Sequence, residues 1–260
     1  MKILYLSILA ICSYFVGNIN FAKIISRCKK DDITKHGSGN PGTLNMLRTF
    51  GFKWAICNLC LEISKGAIPA LVGKLWLGQI GIYVAGIAVI LGHVFPVVYK
   101  FKGGKGVAAF AGFSLIALDW WVFLIVFACC FTFVVITSIG SIGTLGFMLI
   151  SAVIQMFTIN PSNYGWICYI LLVFATTLIL YLHRGNIKRL FQGKENPTNI
   201  RKAFKKDFNI GKENKADAAE QSSDKETQTL KLHEATETEQ ENTEETTVKA
   251  LSLEQEENND

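Results

Sequence analysis

The sequence predicts an all-α integral membrane protein of seven transmembrane helices, N-terminus outside and C-terminus inside, followed by a disordered acidic tail. Three observations predict it. Half of the 260 residues are hydrophobic, only 18% are charged and the mean hydropathy is +0.30, which is too apolar for an ordinary soluble domain. Several apolar runs approach the roughly 20 residues that a helix needs to cross a bilayer. Charge is also split along the chain. Residues 1–206 hold 21 Lys/Arg against five acids, a net of +16, while 207–260 hold 5 Lys against 16 acids, a net of −11. These features exclude a secreted disulfide scaffold, a coiled coil and a soluble nucleic-acid binder. They divide the chain into a polytopic membrane domain, 1–206, and a tail, 207–260.

The apolar runs are 3–22, 54–73, 75–99, 107–137, 139–159 and 166–182. The first stays as a span. No small-residue cleavage site follows it, as a signal peptide requires, and Ile11 before Cys12 is too bulky for a lipoprotein site. Cytoplasmic loops carry excess Lys/Arg near span ends, and three segments qualify: 23–53, 100–105 and 184–206. If all three lie inside, an even number of spans separates each pair, which requires two between 54 and 99 and four between 106 and 183. The 31-residue run 107–137 therefore folds as a pair, 107–118 out and 121–137 back, with Asp119, Trp120 and Trp121 at the outer surface. Seven spans result. Beyond 206 the chain is Glu, Thr, Asn, Gln and Lys with almost no aromatics, a composition that buries too little apolar surface to offset ordering entropy. Cys57-x-x-Cys60 has metal or redox spacing, but it sits in an apolar run without a second pair, so small apolar residues packed in lipid are the simpler reading.

The unusual polar sequence falls in three loops on the inner face. The first is His36-Gly-Ser-Gly-Asn-Pro-Gly-Thr-Leu-Asn-Met-Leu-Arg48. Its glycines and proline prevent a regular helix and free backbone N–H groups for a ligand. Ser38, Asn40 and Asn45 add donors, and Arg48 supplies a fork suited to phosphate. Taken alone, this loop suits a flexible connection equally well. The second, Gly92-His-Val-Phe-Pro-Val-Val-Tyr-Lys-Phe-Lys-Gly-Gly-Lys-Gly106, sets glycines around lysines just before a helix, which makes an anion nest. It is not a nucleotide-binding Walker loop, because Tyr99 and Gly106 stand where a Gly and a Ser/Thr are needed. Positive-inside anchoring explains its lysines but not its glycines. The third, His183-Arg-Gly-Asn-Ile-Lys-Arg-Leu-Phe-Gln-Gly-Lys-Glu195, puts His183 and Asn186 three residues apart, on one helical face if the last span continues. Lys188 and Arg189 also suit simple lipid-headgroup contacts. The 138–141 turn lies inside by the same parity, so Ser138 and Ser141 can add hydroxyls. Glu62 and Lys65, at i,i+3, read as a structural couple.

The three loops resemble the signature motifs of the bacterial acyl-phosphate:glycerol-3-phosphate acyltransferase family (PlsY type). Gly92–Ala108 is similar to that family's GHxFPxxxxFKGGKGVA pattern, and His183–Glu195 to its HRxNIxRLxxGxE pattern. The first loop is similar to GSGNPGATNxxR, with Thr43-Leu44 in place of Ala-Thr; Gly17-Asn-Ile-Asn20 replaces a Gly-Ser-Ile-Pro pattern. The resemblance covers roughly residues 1–200 and does not reach the tail. It implies a multi-span enzyme of the bacterial plasma membrane, its site facing the cytoplasm. This enzyme transfers a fatty acyl group from acyl phosphate to the 1-hydroxyl of glycerol 3-phosphate. Lysophosphatidic acid and inorganic phosphate are the products. The soluble enzyme that supplies acyl phosphate is the expected partner.

On that resemblance, Ser38, Arg48, Lys105, His183 and Asn186 are the expected catalytic residues. Gly39, Asn40, Asn45, His93, Lys102, Gly103, Gly104, Gly106, Ser138 and Ser141 are the expected substrate-binding set. Arg48, Lys105 and the loop N–H groups hold phosphate and stabilise developing charge. Ser38 donates to a phosphate, Asn186 orients the acceptor and Glu195 anchors its own loop. The attacking hydroxyl's proton passes to His183 or to a substrate phosphate; the substrate is favoured because no carboxylate tunes the histidine. An acyl phosphate is already activated, so neither a metal nor another cofactor is demanded. The His-x4-Asp signature of a different acyltransferase superfamily is missing: Pro41, Val98, Lys188 and Thr238 stand five residues after the four histidines. The acid-rich metal motif of CDP-alcohol phosphotransferases is missing too. A transporter of an organic phosphate is the alternative, but transporters tend to show repeated halves and midplane sites.

Overall fold

The computed structural model describes residues 1–161 and 164–208. Met1–Asp207 forms one unit and Phe208–Asp260 a second, of which only Phe208 is described. The disorder expected of the acidic tail lies, from residue 209 on, outside the described residues. Its expected start shifts slightly. Asp207 belongs to the helical stretch 200–208, and its Oδ2 accepts the Lys53 N–H at 2.9 Å.

The described residues are helical throughout, with loops between. Helix α1 (Lys2–Gly17) stops at Asn18, and Asn20 starts α2 (Phe21–Cys28) by accepting the Lys23 N–H at 2.9 Å. A short helix α3 (Thr43–Phe50) precedes α4 (Phe52–Leu77), and Gly78 at φ 68° turns the chain directly into α5 (Gln79–Val94). Next come α6 (Val107–Ala117), α7 (Trp120–Thr137), α8 (Gly140–Thr158), α9 (Gly165–Leu182) and α10 (Arg184–Phe191). The 31-residue apolar run breaks at Leu118-Asp119, and Trp120 and Trp121 are exposed there.

Among the described residues, six segments are long and apolar enough to cross a membrane: Lys2–Cys28, Phe52–Leu77, Gln79–Tyr99, Trp120–Thr137, Gly140–Thr158 and Gly165–Leu182. The expected seventh, α6, has 11 residues. At 1.5 Å per residue it is about 16 Å long, roughly half of a 30 Å hydrocarbon layer. Its N-terminal loop therefore sits deeper than the ends of its neighbours if α6 starts from the same face.

Helix α5 is buried nearly all round, as a helix apolar on every face must be. Around it Phe110, Phe113, Met148, Leu172 and Ile179 are fully enclosed. Lipid gives no hydrophobic drive between helices, so close backbone approach carries the packing. A Cβ on Gly112 would strike the α4 backbone at Ile63, and one on Gly92 would strike α1 at Tyr14. A second cluster (Ala22, Ile25, Ile33, Met46, Leu47, Ala55) closes the end of the bundle that carries α2 and α3.

Candidate active site

One cavity of about 210 Å³ opens at the junction of the three polar loops. Its polar lining includes Ser38, Asn40, Asn45, Arg48, His93, Lys105, Ser141, His183 and Asn186. Its other wall is apolar: Leu59 from α4, Phe127, Phe131 and Val134 from α7, and Phe147 from α8. Phe127 stacks on Phe131 with centroids 6.2 Å apart and meets Phe147 edge-on at 5.9 Å. A cation-rich end thus continues into a greasy slot.

The first loop is shaped by one buried amide. Asn45 Nδ2 donates to the Ile33 carbonyl at 3.1 Å and the His36 carbonyl at 2.9 Å, while its Oδ1 accepts the Ser38 N–H at 3.0 Å. Asn45 therefore holds Ser38 in place rather than offering itself to a ligand. The Thr43 hydroxyl is likewise committed, accepting from Asn58 Nδ2 at 2.9 Å. Arg48, on α3, donates from Nε to the Pro197 carbonyl at 3.1 Å and from Nη2 to the Asn196 carbonyl (2.8 Å) and Thr198 Oγ1 (3.0 Å).

In the second loop the chain doubles back on the end of α5. The Gly103 and Gly104 N–H groups donate to the Val94 and His93 carbonyls at 3.2 and 3.1 Å. Their donors are thus consumed, which corrects the expectation that these two glycines form the anion nest. Gly104 packs against the His93 imidazole, where any Cβ would fall on Nε2. The turn delivers Lys105 beside the N-terminus of α6, with Gly106 at φ 88°. Lys102 is exposed and outside the lining, and its carbonyl accepts from Lys23 Nζ at 3.2 Å. Gly39, whose N–H bonds the His36 carbonyl, and Ser138, whose carbonyl accepts the Thr198 N–H at 2.7 Å, also lie outside it. Ser141 lines the cavity with a buried hydroxyl that meets no partner among the described residues.

The third loop supplies the most connected group. Lys105 Nζ donates to Asn186 Oδ1, and Asn186 Nδ2 donates to Glu195 Oε1 at 2.9 Å. Arg189 Nε lies 3.3 Å from Glu195 Oε2. Glu195 thus anchors its loop and fixes the Asn186 amide. Burial, with Arg189 and Arg48 nearby and only Glu195 opposing them, pushes the Lys105 pKa down to about 8. His183 closes α9 with Nδ1 2.8 Å from the Ile179 carbonyl. A carbonyl only accepts, so Nδ1 carries the proton and Nε2 keeps its lone pair. Burial is the main reason its pKa falls to about 4, with the Ile179 bond opposing and Lys105 assisting. The ring is neutral at physiological pH.

Glu62 and His93, both lining the cavity, belong to a buried cluster of which the sequence showed only the Glu62–Lys65 couple. Lys65 Nζ sits 2.6 Å from Glu62 Oε2, 2.7 Å from the Ile19 carbonyl and 2.9 Å from His93 Nδ1. His93 Nδ1 also lies 3.1 Å from Glu62 Oε2, so all three side chains meet in one buried contact. The i,i+3 couple is thereby a buried triad joining α4, α5 and the break after α1. Removing one partner of such a pair strands a charge, at a cost of about 3–5 kcal/mol. Lys65→Met should therefore lower the melting temperature sharply in detergent, and the double variant Glu62→Leu/Lys65→Met should recover part of the loss. A Lys65→Met protein that melts like the parent would contradict the triad.

Fold and cavity together define an integral membrane protein with a cationic site beside an apolar slot, suited to a ligand with an anionic head and a hydrocarbon chain. Residues 7–193 match the family model described as glycerol-3-phosphate acyltransferase. The chain belongs to that family. Curated glycerol-3-phosphate acyltransferases from Finegoldia magna and Thermoanaerobacter pseudethanolicus are 40% and 38% identical to it. They align over 75% and 74% of this chain and 97% and 95% of their own lengths. A crystal structure described as PlsY (YgiH), an integral membrane glycerol 3-phosphate acyltransferase in its glycerol 3-phosphate form, superposes with a TM-score of 0.68 at 31% identity, covering 74% of this chain and 95% of its own. The lysophosphatidic acid form of PlsY gives 0.67 at 29%, covering 77% and 98%.

Proposed function

We propose that this protein transfers a fatty acyl group from acyl phosphate to the 1-hydroxyl of glycerol 3-phosphate, releasing lysophosphatidic acid and inorganic phosphate. The observation that carries the reading is the cavity itself: Ser38, Arg48, Lys105, His183 and Asn186 at one end, and the wall of Phe127, Phe131, Val134 and Phe147 at the other. Both substrates carry phosphate and one carries a long hydrocarbon chain. The relatives crystallised with glycerol 3-phosphate and lysophosphatidic acid add support.

In this mechanism Arg48 and Lys105 hold phosphate, and the Ser38 and Ser141 hydroxyls donate to it. Asn186, fixed by Glu195, and the neutral Nε2 of His183 orient the attacking hydroxyl. Its oxygen bonds to the acyl carbon, the bond from that carbon to the phosphate oxygen breaks, and the hydroxyl proton leaves on phosphate. A histidine with a pKa near 4 is a weak base, which favours the substrate as proton acceptor. The cations stabilise charge on the carbonyl oxygen and on the leaving phosphate in a partly dry site. The acyl chain lies in the slot.

We place the three basic loops on the cytoplasmic face of a bacterial plasma membrane, with seven passes, α6 being the short one. That face gives access to glycerol 3-phosphate and to a soluble enzyme delivering acyl phosphate. Purified protein in lipid nanodiscs, given palmitoyl phosphate and labelled glycerol 3-phosphate, should release phosphate and form labelled lipid. Acyl-CoA and acyl carrier protein should not substitute. Uptake of label into vesicles without lipid product would favour a transporter.

Acidity offers a separate check. Lys105 is cationic below pH 8 and neutral above it, so kcat/KM for glycerol 3-phosphate should fall as pH rises through about 8. Lys105→Arg should shift that fall to higher pH, since a guanidinium stays charged. A profile flat from pH 7 to 9.5 in the parent would remove Lys105 from phosphate binding.

A further inference from the structure

Residues 196–207 lie beyond the last residue matched by the family model, 193, yet they are built into the site. After α10, Gly193 turns the chain at φ 64° and residues 194–199 run without helix. Thr198 is fully buried, its N–H bonded to the Ser138 carbonyl at 2.7 Å, which ties the segment to the α7–α8 turn. The following helix lays Ile200 and Ala203 against the Met46–Leu47–Ala55 cluster and Phe204 edge-on to Phe52 at 5.3 Å. Asp207 then receives the Lys53 N–H in the first turn of α4, where a carboxylate is favoured. Ile200 also lines the cavity. The segment is a strap running from α10 across the α7–α8 turn to the start of α4.

Its central grip is on Arg48. The Asn196 and Pro197 carbonyls and Thr198 Oγ1 engage Nε and both hydrogens of Nη2. Among the described residues, nothing meets Nη1. A long arginine side chain loses much rotamer freedom on ordering, and here the strap has ordered it before any ligand arrives. We infer that Thr198, with the Asn196 and Pro197 carbonyls, positions the Arg48 guanidinium so that its Nη1 edge is offered to the phosphate of glycerol 3-phosphate. This rests on the proposed reaction. Thr198 touches no substrate; it acts through Arg48.

The test uses the full chain in nanodiscs with Thr198→Val, which keeps the shape and removes the acceptor, and Thr198→Ser, which restores it. Thr198→Val should raise KM for glycerol 3-phosphate about ten-fold, as expected for a lost hydrogen bond to a charged group, with KM for acyl phosphate and kcat within about two-fold. Thr198→Ser should return KM to near the parental value. Independently of turnover, phenylglyoxal should modify Arg48 faster in Thr198→Val than in the parent or Thr198→Ser, read by mass spectrometry. If the parent makes no lipid from glycerol 3-phosphate but the Arg48 modification rates differ as stated, the reaction assignment falls and the strap stands. If the parent turns over and neither KM nor modification rate responds, the strap has no positioning role. A Thr198→Ser variant as impaired as Thr198→Val, or equal rises in both KM values, would also overturn it.

Discussion

Arg48→Ala should lower kcat/KM by about 10²–10³-fold, the usual consequence of removing a preorganised group aimed at developing charge. The protein should still insert and fold, because Arg48 sits on a short loop-side helix outside the six long apolar segments. Its bonds to Asn196, Pro197 and Thr198 mean that alanine also loosens the 196–198 segment. Arg48→Lys separates the two effects. It keeps a cation but loses the fork, since an ammonium cannot bridge two carbonyls, a hydroxyl and a phosphate in one plane. Lysine should recover only a minor part of the activity. Near-normal turnover in Arg48→Ala, by phosphate release at saturating acyl phosphate, would take Arg48 out of the site.

Lys105→Ala should be of similar size and have a distinct cause. Lys105 is the group through which the second loop reaches the third, by its bond to Asn186. Its ammonium is half-buried among Arg48 and Arg189 with one carboxylate to offset three cations, an excess of positive charge that a phosphate dianion relieves. Loss of Lys105 removes that charge and frees Asn186 from one of its two fixing partners, so both kcat and the affinity for glycerol 3-phosphate should suffer. Glycerol 3-phosphate binding by calorimetry should weaken alongside turnover. A Lys105→Ala enzyme that binds and turns over like the parent would contradict the phosphate-cradle reading.

Much of this was legible in the sequence. Asp119-Trp-Trp in the middle of a 31-residue apolar run, too long for one helix, marked the place where α6 ends and α7 begins. The cavity gathers Ser38 and Lys105 from Gly-rich loops, and Arg48, His183 and Asn186 from the short helices α3 and α10 and the end of α9 that flank such loops. Other features depend on directions that side-chain identity does not encode. Whether the Gly103 and Gly104 N–H groups face a ligand or the end of α5 is a matter of backbone path, and they face α5. The Glu62–Lys65 couple follows from i,i+3 spacing, whereas His93 and the Ile19 carbonyl join it only through the crossings of α4 with α5 and α1. The strap on Arg48 was hidden for two reasons. Its acceptors are mostly carbonyls, which every residue has, and they lie 148 to 150 residues away along the chain. Asp207 looked like the start of an acidic tail because composition averages over a window that one capping carboxylate cannot shift.

The proposed chemistry needs the three polar loops to share one side of the bilayer. Single cysteines introduced as Lys35→Cys, Phe101→Cys and Gln192→Cys, each exposed, in a background lacking the seven native cysteines, can be probed with an impermeant maleimide in sealed vesicles of known orientation. All three should label from the cytoplasmic side, and Trp121→Cys from the opposite one. Labelling of any of the first three from the outer side would separate Ser38 and Arg48, Lys105, or His183 and Asn186 from the others and end the case for a common site.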